Sequence, residues 1–468
     1  MADGGTNVLQ TFEIDHYIDE LECISLEDTL SSRWVVSGCR VVQLSVQAAL
    51  EASHGGHEHV QHSITLHNKG LAVVWQLMTS EAWRLHLLPS LLDAERATPT
   101  SSLPFVMVLQ TEAAALGLLE SLAFHEESAV ALEGLVLDLI DYCVRQLTRL
   151  ATHAHTHPDR PLYDPGQASH TLTGAGVGRS EGAATSQQEP DGVANEVRRE
   201  ERRVGMVLGC RAVSVIQLLA SCRERLPLCA TTRLMHTHDV PQLLASLLYL
   251  APWRTEQQVG EEQLVFEDGV WAGQRGALSR SECQAWATLH TLLMDRETLA
   301  MYEVSSGRRA ALLKLRGRLN DAALAQMPAL EPLARWLAAL ALTAPQQARP
   351  PPLVTTVAQL EGRVAGVWEG RWGQLADVLA PRFLAPTTDF LRTLATNMAA
   401  AWDLEALEAL LPDTPTCATC GSPAGRRCSR CRIHWYCRRE CQVKHWPDHK
   451  KLCDLVASHP TSKKSFIQ

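Results

Sequence analysis

The sequence predicts an all-α protein, an armadillo- or HEAT-like helical solenoid that ends in a small cross-braced zinc module. Three observations lead there. The chain has 468 residues and is 46% apolar but only 5% aromatic, with Leu and Ala dominant, a composition suited to helices around an ample core. Apolar residues recur at helical spacing over most of its length. Seven of the fourteen cysteines fall within residues 417–453.

The helical part begins near residue 8. Its clearest segment places Leu132, Leu135, Val136, Leu139, Ile140, Cys143, Leu147 and Leu150 on one face. Glu133, Asp138, Asp141 and Arg145 lie elsewhere, so the stripe reads as core. Earlier helices are expected over 40–52, 69–79 and 110–124, joined by short turns that make neighbours antiparallel. Between the first two, HGGHEHVQH holds His54, His57, His59 and His62. Gln61 stands where an HExxH motif needs its second histidine, so the segment reads as a loop and not a metal site. His153, His155 and His157 are read with the same caution.

Residues 152–196 are rich in Gly, Pro, Ser and Thr and poor in aliphatics, which predicts a disordered insert. Its GAGVG has no strand before it and no helix directly after, so it is not a dinucleotide loop. Helices resume at Val197, where VGMVLGCRAVSVIQLLASC is apolar nearly all round, as a helix buried on several sides would be. In MHTHDVPQLLASLLYL, Asp239 is placed as a helix cap with Pro241 in the first turn. QLVFEDGVW reads as a small hairpin turning at Asp268-Gly269. SECQAWATLHTLLMD, RRAALLKLRGRLNDAAL and LARWLAALAL follow as helices, with His290 read as a hydrogen-bonded core histidine. A proline linker near 344–353 leads to a last helical stretch at 354–411. The organisation is therefore a helical region (1–151), the insert (152–196), a second helical region (197–411), the zinc module (412–455) and a basic tail (456–468).

The cysteines outside the module (Cys23, Cys39, Cys143, Cys210, Cys222, Cys229 and Cys283) show no paired spacing and read as small buried hydrophobes in a reducing compartment. The acidic start lacks the pattern of a secretory signal. No apolar stretch is read as approaching the ~18–20 residues of a membrane span. A soluble, intracellular chain is expected. Residues 417–468 carry eleven Lys/Arg against three Asp/Glu, a formal +8, and the remainder carries −17, which sums to −9. A basic module could touch nucleic acid, but its Arg and Lys alternate with ligands and lack an aromatic stacking series, so a solvated face or an acidic protein partner is the expectation.

The module reads CATCGSPAGRRCSRCRIHWYCRRECQVKHWPDHKKLC, that is C-x2-C, C-x2-C, C-x3-C and H-x3-C. Eight ligands suit two tetrahedral zinc ions, and a set of thiolates and one imidazole with no open position is structural, not catalytic. Residues 421–427 are too few to form a packed core between the first pairs, so metal must take its place. Sequential pairing would join Cys417/Cys420 to Cys428/Cys431. An interleaved cross-brace would instead join Cys417 and Cys420 to Cys437 and Cys441, leaving Cys428, Cys431, His449 and Cys453 for the second ion. From Glu440 the text reads as helix, with His449 and Cys453 on one face and His445 a spare surface residue.

WYCRRECQVKHWPDHKKLC resembles the MYND-type zinc finger, in the aromatic before Cys437 and in the Gln and Trp after Cys441. The resemblance implies a protein-binding module that docks short proline-containing peptides, with Gln442 and Trp446 as groove positions. Read from the residues alone, Trp446 is also the mini-core of a domain with little else apolar. Arg349-Pro350-Pro351-Pro352-Leu353-Val354 is similar to the peptides such grooves accept, and a tethered segment would have a high effective concentration; a linker preceding a helix is the plainer reading.

VLDLIDYC (136–143), MHTHDVPQLL (235–244), APW (251–253) and LLKLRGRL (312–319) extend the resemblance into the body. They are similar to stretches of the MYND proteins that serve axonemal dynein arm assembly. What this implies is a cytoplasmic adaptor or co-chaperone for motile cilia, placed near centriolar satellites or the apical region of ciliated cells. Its implied partners are a leucine-rich-repeat dynein assembly factor, the ninety-kilodalton heat-shock chaperone, an immunophilin co-chaperone, and dynein heavy or intermediate chains as clients. Some MYND proteins are SET-domain lysine methyltransferases, but the dipeptide Asn-His of their NHxCxPN-type signature never occurs here. No P-loop or paired-carboxylate motif is visible either, so no enzyme is expected. The alternative is a nuclear MYND adaptor that recruits corepressors.

Overall fold

The computed structural model describes residues 9–54, 58–93, 96–157, 162, 192–259, 262–267, 270–273, 278–347, 357–401, 417, 419–420, 424, 426–429 and 435–457, giving backbone alone for 54, for the strands at 255–273 and for 427, 447–448 and 451–457. Most of the expected insert with its GAGVG, the Pro350–Val354 segment, residues 402–416 and the basic tail lie outside the described residues, as do His57 and the Asp268-Gly269 turn. The chain divides into two compact units, a helical body (1–164 and 191–403) and a C-terminal unit that contains the finger (165–190 and 404–468).

Among the described residues the body's regular elements are helices apart from one small sheet. In chain order its helices begin with α1 (Thr11–Asp19), α2 (Ser32–His54), α3 (His59–Leu66), α4 (Gly70–Ala82), α5 (Leu88–Leu91), α6 (Leu103–Phe124), α7 (Glu126–Ala131) and α8 (Leu135–Thr156). Next come α9 (Val193–Ser221), α10 (Leu228–Thr232), α11 (Val240–Leu250), α12 (Arg280–Met294), α13 (Arg296–Met301), α14 (Ser306–Lys314), α15 (Asp321–Gln326) and α16 (Glu331–Leu340). The last of the body are α17 (Leu360–Val364), α18 (Trp372–Leu384) and α19 (Thr388–Ala401).

These helices pack as two rows. One runs α2, α6, α9, α12, α16, and the other α4, α8, α11, α14, with α4 on α6, α8 on α9, α11 on α12 and α14 on α16 joining them. Helices before and after the insert thus share one core, and α9 lies between α6, α8 and α12. That position explains its nearly all-apolar surface. The approach of α8 and α9 is close at Gly209 of α9, where a Cβ would stand 2.9 Å from Leu150 Cδ2 of α8.

The segment after the proline linker does not extend the rows. It folds back, with α17 on α4, α18 on α5 and the turn before it, and α19 on α2 and α6. Phe383 of α18 is buried with its ring 5.1 Å from both Trp83 and Phe105. Trp372 stacks on His86 at 4.1 Å. The backbone N–H of Leu360 donates to Asp138 Oδ1 of α8 at 2.8 Å, and Arg145 reaches Glu361 at 3.0 Å.

A π-helical turn at Trp83–Leu87 directs Arg84 inward, where it is 2% exposed. Its guanidinium donates twice to Glu112 at 2.6 Å and to Gln146 at 2.9 Å, and the Tyr142 hydroxyl donates to the same carboxylate at 2.9 Å. Burial alone would favour discharging Arg84, but the Glu112 carboxylate outweighs it and holds the arginine charged. The cluster crosslinks the turn that follows α4 with α6 and α8.

Several expectations are adjusted. Helices predicted at 40–52, 69–79 and 110–124 run from Ser32, Gly70 and Leu103; Ser31 caps α2, its Oγ accepting from the Trp34 N–H at 3.2 Å, and Pro104 opens α6. The insert is narrower, since α8 continues to Thr156 and α9 begins at Val193. His59 and His62 are on α3, not in a loop, and His59 Nε2 pairs with Asp15 at 2.9 Å. His290 is half-buried and makes no hydrogen bond among the described residues, so it is not the hydrogen-bonded core histidine expected. Cys39 and Cys143 are buried, with burial pushing the Cys39 thiol up to about 11, but Cys23 is exposed and the other four body cysteines are half-buried. Leu103–Phe124 and Val193–Ser221 are long and apolar enough to cross a membrane by length and composition, contrary to the expectation that no such stretch exists. Their apolar windows are 78% and 61% buried, because both serve as central helices of the two rows.

The cap at α11 forms as read: Asp239 accepts from the Gln242 N–H at 3.3 Å, with Pro241 in the first turn. Asp239 adopts a left-handed φ of 46°, which a short polar side chain tolerates, and it also receives Tyr302 Oη and Arg308 Nε at 2.7 Å each. The expected hairpin is part of a three-stranded antiparallel sheet, β1 (Thr255–Val259), β2 (Glu262–Glu267) and β3 (Val270–Gly273), in the order β1-β2-β3. Its polar first strand, TEQQV, carried no alternating pattern to announce it.

Candidate metal centre

The finger starts from two short elements and one helix. Strands β4 (Arg426–Arg427) and β5 (Trp435–Tyr436) pair antiparallel, Arg426 opposite Tyr436. Helix α20 (Arg439–Ala457) follows. Cys441, His445 and His449 recur every four residues and so share a face of α20. Thr419 Oγ1 donates to the Cys441 carbonyl at 2.7 Å, tying the first cysteine pair to the helix.

The structure brings together Cys417, Cys420, Cys437 and Cys441, whose sulfurs all lie within 4.8 Å of one another. Sγ–Sγ separations are 3.4 Å for Cys420–Cys437, 3.6 Å for Cys437–Cys441 and 3.8 Å for Cys420–Cys441. A tetrahedron with Zn–S bonds of ~2.3 Å has edges of ~3.8 Å, so the four sulfurs fit a zinc ion. The first pair meets the third, not the second. Cys428 lies apart from this set, with its Sγ 3.3 Å from His449 Nε2. Both are buried, at 1% and 2% exposure. A zinc ion bound by one sulfur and one imidazole holds them ~3.6 Å apart, close to what is seen. Cys431 lies outside the described residues, and Cys453 is placed on α20 one turn beyond His449 by backbone alone.

Protons are shared unequally in the four-thiol set. Burial opposes ionisation of Cys417, but backbone N–H groups of Cys437, Thr419 and Cys420 outweigh it and lower its thiol to about 6. Hydrogen bonding with Cys420, then burial, raises Cys437 to about 12. Metal binding replaces such shared protons, because thiolates are the ligands. His449 is held below the usual imidazole range by burial and by His445, which keeps the ring neutral as a ligand must be.

Gln442 and Trp446 are both half-buried on α20, one turn apart. Trp446 packs on a mini-core of Cys417, Ala424, Cys428, Tyr436 and Cys441, and Val443 beside it is 64% exposed. The expectation of His445 as a surface residue is corrected. Its Nδ1 is 2.9 Å from Tyr436 Oη, and its ring stacks on His449 at 5.7 Å. The four-residue spacing of His445 and His449 was the available signal.

Residues 417–453 match the family model described as the MYND finger. The C-terminal module is a MYND finger. Beyond it, the chain is similar over 469 residues to the zinc finger MYND domain-containing protein 10 homolog of Drosophila melanogaster, 26% identical, covering 96% of this chain and 99% of that one. Two other relatives match over short stretches. Ubiquitin C-terminal hydrolase 15 of Oryza sativa subsp. japonica is 49% identical over 52 residues, 11% of this chain and 5% of its own. The human histone-lysine N-methyltransferase SMYD3 is 53% identical over 32 residues, 7% of this chain and 8% of its own. Matches this short lend the MYND finger no enzyme activity. No solved structure matches the chain.

Proposed function

We propose that the chain is a non-enzymatic cytoplasmic adaptor for the pre-assembly of axonemal dynein arms, holding partner proteins through its MYND finger and its helical body. The observation that carries this reading is similarity along the whole chain, body and finger together, to one MYND-domain protein. A finger alone would speak only for a module shared by unrelated proteins. The stretches at 136–143, 235–244, 251–253 and 312–319 support the narrower assignment through their resemblance to the dynein-assembly group. On this reading an armadillo- or HEAT-like body offers an extended surface, and its partners are a leucine-rich-repeat assembly factor, the ninety-kilodalton chaperone with an immunophilin, and dynein chains as clients.

Two structural zinc ions hold the finger in this proposal. Cys417, Cys420, Cys437 and Cys441 take one, and Cys428, Cys431, His449 and Cys453 take the other. Gln442 and Trp446 form the peptide-binding positions, with Val443 adding exposed apolar surface beside them. The test is affinity purification from cells building motile cilia, comparing wild type with Trp446→Ala at matched zinc content. Dynein chains, chaperones and assembly factors are expected with wild type, and a subset of them lost with the variant. Corepressors or chromatin proteins in their place would support a nuclear adaptor and overturn the assignment.

A further inference from the structure

We propose that Tyr436 and His445 form a positioning brace that fixes the ring of His449 toward Cys428 and links the two ligand sets of the finger. The inference rests on the two-zinc reading, and neither residue is itself a ligand in it.

Tyr436 is 1% exposed, and its hydroxyl stands 2.9 Å from His445 Nδ1. With Tyr436 as donor, His445 accepts at Nδ1 and is held in one ring orientation. That ring lies nearly parallel to His449, 12° apart with centroids separated by 5.7 Å. Tyr436 and Trp446 approach the same imidazole edge-on, at 6.4 and 5.8 Å, each at 67°. Three rings therefore limit the rotation of His449 while its Nε2 faces the Cys428 sulfur at 3.3 Å. This matters because the imidazole lone pair lies in the ring plane, so a rotated ring cannot bond the metal. Outer-shell partners that hydrogen-bond a histidine ligand change metal affinity by about 10–100-fold when removed, and a brace that packs on the ring belongs at the lower end of that range.

The brace also spans the module. Tyr436 precedes Cys437, a member of the four-sulfur set, and His445 lies one helical turn from both Cys441 and His449. Disturbing it should thus loosen the His449 site through orientation while leaving the four sulfurs intact.

The experiment uses the full chain loaded with zinc. It measures zinc per chain and the rate of transfer to a chromophoric chelator for wild type, Tyr436→Phe, His445→Ala, the double variant and His445→Asn. Tyr436→Phe keeps the ring wall and removes only the hydroxyl, whereas Asn places an amide oxygen near the Nδ1 position. The expected result is two zinc ions per chain in wild type. One of them should leave about 10-fold faster in Tyr436→Phe and His445→Ala, the double variant should be no faster than either single, and Asn should restore most of the loss. In cobalt-loaded protein the absorption of the mixed nitrogen–sulfur site should shift while that of the four-sulfur site does not.

One zinc per chain in wild type would remove the two-zinc reading and this inference with it. Two zinc ions with unchanged release in both single variants would overturn the brace alone. Equal acceleration of both ions would also overturn it, since general loosening is not positioning.

Discussion

The body and the finger solve the same problem by opposite means. The body surrounds residues such as Trp83, Phe105, Tyr142, Trp286 and Phe383 with apolar neighbours until none has more than 0% exposure. Among the described residues the finger buries Cys417, Ala424, Cys428, Tyr436, Cys441 and His449, so four of these six are expected ligands. A chain long enough for two rows of helices can offset ordering entropy by burial, whereas some forty residues cannot, and metal takes over. The lesson is that the two units should fail under different insults.

The largest expected effect follows from metal removal. Structural zinc supplies on the order of 10–16 kcal/mol of binding free energy, so a strong chelator, or Cys441→Ser, should abolish amide protection in the finger. Circular dichroism should then fall only by the share of α20, with the body helices intact. A global loss of helicity would erase the distinction between the units.

The converse insult is Arg84→Met. It leaves Glu112, at 0% exposure, without its cation, and should lower body stability in denaturant unfolding by about 3–5 kcal/mol at unchanged zinc content. A change within experimental scatter would show that the Arg84 cluster specifies packing without contributing stability.

A smaller effect separates the units by pH. Burial opposes ionisation of Asp141, but hydrogen bonds from His238 and Arg233 outweigh it and hold its carboxyl below the usual range. A carboxyl whose folded value is lowered stabilises the fold above its ordinary value of ~4 and loses that contribution as pH falls through the folded value. Asp141→Asn should therefore cost about 1.5–3 kcal/mol near neutrality and flatten the acid limb of body stability below about pH 4. An unaltered acid limb would assign acid unfolding to other carboxylates.

Much of this was legible in the residues. Periodicity located α8, α9 and α11, and Asp239 announced its cap, because each depends on neighbours within a few positions. Boundaries were less legible where the capping residue is one of two adjacent serines, as Ser31 is before α2. In the finger, ligand identity followed from spacing. His445 was misjudged because its partner, Tyr436, lies on a different element.

The sequence by itself determined two things here: that most of the chain is helical, and that its C-terminus is a metal-ligand framework of the MYND type. Both rest on local chemistry, helical repetition in one case and thiol spacing in the other. The tertiary structure brings the first cysteine pair to the third as the cross-brace reading expected, and it alone decided that Arg84 finds Glu112 and that Leu360 returns to Asp138 across 222 residues of chain. Nothing local distinguishes those last two partners from other carboxylates of the same kind, because the choice is made by which surfaces the packed helices bring within reach.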